Sequence, residues 1–417
     1  MYLKSSKLQL QKQRRRRRSN PVLLLLLVIG VAFLAYFERK IVETVPYALN
    51  PTPTSTRNPE AIVSEAIEAL NAGNLLPAKD LYIEAIKIDP TNSSLYAELA
   101  RIEILAGQYE AAQTSARNSL LLNPTNPQAH ALLGWALNFL GDAVGAELEV
   151  LQALAIDEGN ALAHAVYAEI LINSGNYIEA GEESRRALAL DPTSIEVLRA
   201  RAYVLEYTDN FPEAVEIYQQ ALAINNNIAD LHLGLGRVYW ALALYDEAIS
   251  EFVQANALNP SDPIPDTNIA KIYMTLGEYG KAVQTFQKAV LEDPSNPIRY
   301  GNLGTAYYRN RQLDEAIDVF ALAIHGGTTE DGVIVNGLEL SPGTVAQYYY
   351  MYGLALAKRA RCNQALPIFE SLIAVFEEGS VEVFNANAGI EICEDFAANP
   401  PTATPISTSE AMETPAP

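Results

Sequence analysis

Three histidines, His130, His164 and His232, recur at spacings of 34 and 68 residues. Histidine is the side chain most often used to bind a metal or to move a proton near neutral pH. A metal site needs its donors within a few ångströms of one ion. Residues that repeat once per 34 are expected to lie a structural repeat apart, so a packing role is expected and no metal site. Gly234 and Gly236, followed by Arg237, have the outline of a phosphate-cradling loop, but a third glycine and a preceding strand-like run are missing. The sequence holds no C-x-x-C, H-E-x-x-H or C-x-x-C-H. Carboxylates are plentiful and read as solvated helix faces. No catalytic residue and no cofactor are expected.

Charge narrows the field further. The net charge of −21 is the sum of two unlike parts. Residues 1–37 hold eight of the 29 basic side chains and no acidic one. The remainder sets 21 basic against 50 acidic residues, a net of −29. Such a body repels nucleic acid and anionic lipid over long range. The run Arg14–Arg18 leads into Val22–Phe37, sixteen residues without a charge. At 1.5 Å per residue these span roughly 24 Å, a little under a bilayer core, a deficit that snorkelling Arg and Lys can cover. The segment ends in A-Y-F-E-R-K, without a small-residue cleavage pattern. An uncleaved signal-anchor over residues 21–37 is therefore preferred to a cleaved signal peptide. The basic residues 1–20 would lie in the cytoplasm and the body outside it.

The body repeats. Asp89-Pro90, Asn123-Pro124, Asp191-Pro192, Asn259-Pro260 and Asp293-Pro294 fall on a 34-residue ladder, with Asp157 and Asn225 on the two rungs that lack proline. Alanine stands twelve residues ahead of the second residue of every rung, as at Ala112, Ala146 and Ala180, and a small residue precedes it in each unit, as at Ala100, Gly134 and Ala168. Between Pro263 and Asn296, Ile269, Tyr273 and Leu276 form one apolar stripe. Tyr279, Ala282, Phe286 and Ala289 form a second, with Gly277 as the break. This is the helical period twice around a short turn. A period of this length implies helix pairs that bury their stripes only by stacking.

The pattern resembles the tetratricopeptide repeat family. Y-x2-L-G-x2-Y at Tyr300–Tyr307, followed by Ala316 and Phe320, carries the likeness, as does L-G-x2-Y at Leu235–Tyr239. The resemblance covers about residues 59–379 and implies an all-α fold, a right-handed α-solenoid. The three histidines take the fourth position of their units, where the family places a packing tryptophan. In that family the first helix of each unit lines a concave groove through its second, fifth, ninth and twelfth positions. Those positions give Arg199 and Tyr203, Arg237 and Trp240, Lys271 and Met274, and Tyr308 as a partner-binding face. The cations either meet an acidic and apolar segment of a partner or pair with Glu196, Glu206 and Asp230 of this chain. The family's carboxylate clamp is not expected, because Val63, Ile67, Ala97 and Arg101 stand in its places.

The period breaks once. Gly304 and Gly353 are 49 residues apart, an insertion of fifteen. Its segment GVIVNGLEL, 332–340, alternates around Asn336-Gly337 and predicts a projecting β-hairpin with a type I′ turn, or else a disordered insertion. Cys362 and Cys393, the two cysteines, fall where neighbouring helices of such a stack meet, as a disulfide or as two buried thiols.

The expected organisation is a basic tail (1–20), a transmembrane signal-anchor (21–37), a Pro/Thr-rich linker (38–58) and repeat units 1–8 (59–325). An inserted hairpin loop (326–343), a ninth unit with a capping helix (344–396) and a Pro/Thr-rich tail (397–417) complete it. The reading is a bacterial, non-catalytic interaction scaffold, held at the cell membrane by one helix with its body extracytoplasmic. Its partner would be a protein or peptide, with no nucleic acid and no small-molecule substrate. The alternative is an accessory or sensory subunit of an envelope enzyme, or of a secretion or glycan assembly machine.

Overall fold

The computed structural model describes residues 22, 26, 29–33 and 57–398. The chain divides into two compact units, Met1–Asn58 and Pro59–Pro417. In the first, Val22, Leu26 and residues 29–33 are helical and exposed. Most of the anchor expected over 21–37 lies outside the described residues, as do the basic tail, nearly all of the linker and the C-terminal Pro/Thr-rich segment. Among the described residues no helix is long and apolar enough to cross a membrane.

The second unit is a stack of helix pairs. First helices begin at Pro59, Ser93, Pro127, Ala161, Ile195, Ala229, Pro263 and Pro297, each 34 residues after the one before. Second helices begin at Leu75, Tyr109, Ala143, Tyr177, Phe211, Tyr245, Tyr279 and Leu313, in the same step. A ninth pair, Thr344–Lys358 and Cys362–Val375, follows the insertion, and Val381–Ala398 closes the end. Cys362 and Cys393 are joined by a disulfide, with Cα atoms 5.5 Å apart, which ties this last helix to unit 9.

The ladder residues set the joints. Asp89, Asn123, Asp157, Asp191, Asn225, Asn259 and Asp293 cap the second helices of units 1–7 in a non-helical conformation, with ψ between 73° and 112°. A following proline imposes that geometry on the residue before it. Three residues further on, Asn92, Asn126, Asn160, Ser194, Asp262 and Asn296 accept a hydrogen bond from an amide in the first turn of the next helix. Each such cap is worth about 1 kcal/mol. Within units, a left-handed residue ends the first helix at positions again 34 apart. It is glycine at Gly73, Gly107, Gly141, Gly175 and Gly277, but Asp209 (φ 59°), Ala243 (φ 58°) and Arg311 (φ 63°) elsewhere.

Size complementarity fills the space between paired helices. The glycine pair of unit 6 is explained by packing: a Cβ on Gly236 would meet the Phe252 ring at 2.7 Å, and one on Gly234 the Tyr218 ring at 2.4 Å. Both lie inside the helix Ala229–Ala241, where a phosphate-cradling turn has no place.

The insertion forms strands, but not with the expected turn. β1 (Gly327–Thr328) and β2 (Ile334–Val335) pair antiparallel, Gly327 opposite Val335. The chain reverses over 329–333, where the Thr329 amide donates to Val333 O at 2.9 Å. A type I′ turn needs positive φ at both central residues, and neither Asn336 nor Gly337 has it. Gly337 instead lies against the end of the helix Leu313–His325, so close that a Cβ would meet Ile324 O at 2.5 Å. The Leu338 amide donates to Ala323 O of that helix. Nor does the hairpin project, since Val335 is buried with Tyr300 and Ala323.

A non-glycine residue in the left-handed region costs about 1 kcal/mol or more. Ala243→Gly is expected to stabilise the stack by about 1 kcal/mol, read as a raised urea midpoint. The control Ala223→Gly, on the exposed side of the helix Phe211–Ile224, should cost a similar amount.

Candidate partner-binding face

The repeated histidines tie each unit together. His232 Nδ1 lies 2.6 Å from Glu251 Oε2 and its Nε2 lies 2.9 Å from Asn226 O. Both partners only accept, so both ring nitrogens must donate. Burial disfavours the charge on His232, but Glu251 and the Asn226 carbonyl outweigh it and raise the pKa. His130 repeats the geometry with Glu149 and Pro124 O, and His164 with Glu183 and Glu158 O.

The positions expected to line the groove behave in two ways along the chain. In units 2–5 they are largely closed off by the chain itself. The fifth position is Ala97, Ala131, Ala165 and Arg199, all buried, and the ninth includes buried Trp135 and Glu169. Three alanines at the fifth position let successive first helices approach, and those helices pack directly on one another from unit 2 to unit 5. Charges on this face are satisfied internally. Arg199 is 5% exposed, donates from Nη1 to Asp230 Oδ2 at 2.6 Å and from Nη2 to Glu169, and lies 4.9 Å from the Trp135 ring centroid. Burial works against the Arg199 charge, but Glu169 and Asp230 outweigh it and keep the guanidinium protonated. Burial pushes the Glu169 carboxyl up to about 7, against the pull of Arg199. Arg101 donates to Glu196 at 2.9 Å across 95 residues of sequence, and Asn227 Nδ2 reaches Gly73 O at 3.1 Å across 154. These contacts bring unit 2 against unit 5 and unit 1 against the loop before unit 6.

From unit 6 onward the face loosens. The close packing between successive first helices is lost across units 6–8 and returns between units 8 and 9. Arg237 is half-buried and grips Glu206 through Nε (2.6 Å) and Nη2 (2.9 Å). Trp240 is half-buried beside Phe252 and Ile269. Lys271 is exposed and has no carboxylate partner among the described residues; partial desolvation and the neighbouring Arg299 charge lower its pKa. Met274 is half-buried in the same helix, and Tyr308 accepts a hydrogen bond from Lys358 Nζ at 2.8 Å.

The seven residues are therefore not one surface of a single kind. Arg199 and Arg237 are taken up by Asp230, Glu169 and Glu206, and Tyr203 donates to Asn173 Oδ1 at 2.9 Å. Trp240, Lys271, Met274 and Tyr308 remain on the open part. Glu196, expected among the counter-charges of the three groove cations, pairs with Arg101 instead. Arg101 entered the sequence pattern only as a residue that breaks the carboxylate clamp, and Trp135 and Glu169 were not singled out, because the groove face was traced only through units 5–8. Carried back to units 3 and 4, the same ninth position finds Trp135 and Glu169.

Comparisons with known proteins bear on the repeat fold. Tetratricopeptide repeat family models match residues 69–136, 208–272 and 267–331. The chain carries tetratricopeptide repeats. The APC/C hetero-tetramer Cut9–Hcn1 is 15% identical, with a TM-score of 0.59, covering 86% of this chain and 66% of that one. The human IFIT1 dimer with PPP-AAAA is 17% identical, with a TM-score of 0.53, over 82% of this chain and 85% of that one. PilF of Pseudomonas aeruginosa is 22% identical, with a TM-score of 0.45, over 56% and 98%. For Cut9–Hcn1 and IFIT1 the likeness is one of fold alone. No curated protein matches the chain. Repeats of this kind generally serve as scaffolds for protein–protein interaction.

If Arg199 is a structural tie, its loss alone leaves Glu169 buried and unpaired. Arg199→Met is expected to cost about 3–5 kcal/mol. Arg199→Met combined with Glu169→Leu should recover most of that loss, because the charge and its counter-charge go together. Chemical unfolding of the two variants checks both values.

Proposed function

We propose that this chain is a non-catalytic docking scaffold that holds a protein segment on the inner face of units 6–9. The observation that carries the reading is the contrast along that face. In units 2–5 its charges are spent on one another, whereas Lys271 has no acidic partner among the described residues and stands beside Met274, with Trp240 and Tyr308 in the adjoining units. Aromatic side chains are enriched among the residues that dominate binding energy at interfaces. An extended segment with acidic and apolar side chains fits them. The scaffold is tethered to a membrane by residues 21–37, with its body on the far side from the cytoplasm. Support for the tether is the arginine run ahead of sixteen uncharged residues.

Lys271→Glu combined with Tyr308→Ala is expected to lower capture of partners cross-linked in native membranes by tenfold or more. The outer-face variant Leu148→Ser should leave capture unchanged. Circular dichroism of both variants should match that of the parent protein. Undiminished capture by the double variant, with its helicity intact, would contradict the assignment of this face.

A further inference from the structure

In six of the nine units the fourth position of the first helix has one recurring task; units 1 and 5 carry Ile62 and Leu198 there. Tyr96, Tyr300 and Tyr349 donate their hydroxyls to Pro90 O, Pro294 O and Leu338 O, at 3.3, 2.9 and 2.7 Å. His130, His164 and His232 bring a ring nitrogen to the equivalent loop carbonyls. In each case a planar ring fills the gap beside the second helix, and a polar hydrogen satisfies the carbonyl that ends the joint.

Unit 7 departs from this. Its fourth position is Asp266, which is short and, when ionised, carries no donor. The equivalent carbonyl, Pro260 O, receives no hydrogen bond from it. Thr285 stands where the histidine-bearing units place Glu149, Glu183 and Glu251. The result is a cleft of about 510 Å³ between the second helices of units 6 and 7, lined by Pro260, Asp266, Val253, Ile269, Tyr273 and Lys288. Asp266 is 3% exposed, and its Oδ2 has no hydrogen-bond partner. Glu292 Oε2 is also sealed from solvent, and its carboxyl stands against Asp266 closely enough to share one hydrogen bond with it when protonated, which leaves the ionised pair unsatisfied. A buried polar atom without a partner costs on the order of 1–3 kcal/mol, so its persistence points to something that satisfies it.

We propose that this cleft binds a guanidinium group. Its plane takes the space that a His or Tyr ring fills in six of the other units, between the apolar walls of Val253 and Ile269. Its N–H groups, set on different edges, serve the Asp266 carboxylate and the Pro260 carbonyl together. An ammonium has neither the plane nor the spread of donors. Lys288 is the one like charge lining the cleft; it is exposed, and Asp266 and Glu292 offset it. The site lies apart from the groove positions, so it stands or falls separately from the docking face.

A second consequence concerns protons. Burial and then Asp266 push the Glu292 carboxyl up to about 7, with Asp262 adding to the rise and Lys288 opposing it. A bound cation favours the ionised form, so binding should tighten as pH rises through that value. The same raised pKa means that Glu292 favours the fold at low pH. Its contribution is present in full below the ordinary glutamate range and is lost as pH rises through about 7.

The test uses the full chain with isotope-labelled isoleucine methyls, titrated with methylguanidinium chloride and with a Gly-Gly-Arg-Gly-Gly peptide against matched sodium chloride. A saturable shift of the Ile269 methyl is expected, with affinity rising about tenfold between pH 6 and pH 8. Asp266→His, which restores the ring used by other units, should abolish the shift while leaving the melting temperature equal or higher. Saturation by methylguanidinium as readily as by the peptide identifies a free small cation as the ligand. Saturation by the peptide alone identifies a partner's arginine. Absence of saturation with both, or an undiminished shift in Asp266→His, would overturn the proposal.

Discussion

The curvature of units 2–5 depends on placing charged side chains inside the turn of the superhelix and pairing them there. An isolated guanidinium in that setting would be untenable, because desolvation of an ion costs several kcal/mol after relaxation. Arg199 tolerates it with Glu169, Asp230 and the face of Trp135 around it. Such a cluster adds little net stability over apolar packing of the same volume, but it penalises every arrangement that separates the partners. Arg101 and Glu196 extend the same constraint across 95 residues. The paired ions thus specify how tightly the stack winds, while alanines at the fifth position make that winding sterically possible.

Where these pairs end, the molecule changes character. Beyond Arg237 and Glu206 the first helices separate, and the large core running from Ile62 to Val238 gives way to one running from Ala270 to Cys393. Unit 7 lies at this transition and departs from the repeat on both its sides. Toward the groove it presents Lys271 without a counter-charge, and between its second helix and that of unit 6 it replaces a ring with Asp266. A repeat protein conserves its fold through neighbour contacts, so one irregular unit can carry specificity without disturbing the rest.

Much of the architecture was legible in the residues because it is local. The 34-residue ladder located every joint of units 1–8, since a cap and a proline act on their own backbone. The disulfide between Cys362 and Cys393 was one of two readings available from their places in adjacent helices. The inner face was less legible, because which acid meets Arg199 is decided by superhelical pitch, a property of several units together. Asp230 and Glu206 were foreseen as counter-charges, but Glu169 was not, and Glu196 meets Arg101 rather than one of the three groove cations. Asn336-Gly337 misled for a related reason. Its local preference for a tight turn yielded to the carbonyls at the end of the preceding helix, which the sequence pattern alone could not bring near.

The closed inner face is the claim on which the rest turns, and thiol accessibility tests it most directly. Ala165→Cys places a thiol at a position 1% exposed in unit 4, and Lys271→Cys places one at an exposed position in unit 7. Reaction with a maleimide under native conditions is predicted to be slower at residue 165 by on the order of 100-fold, because labelling there must wait for local opening. Equal rates at the two positions would contradict the account.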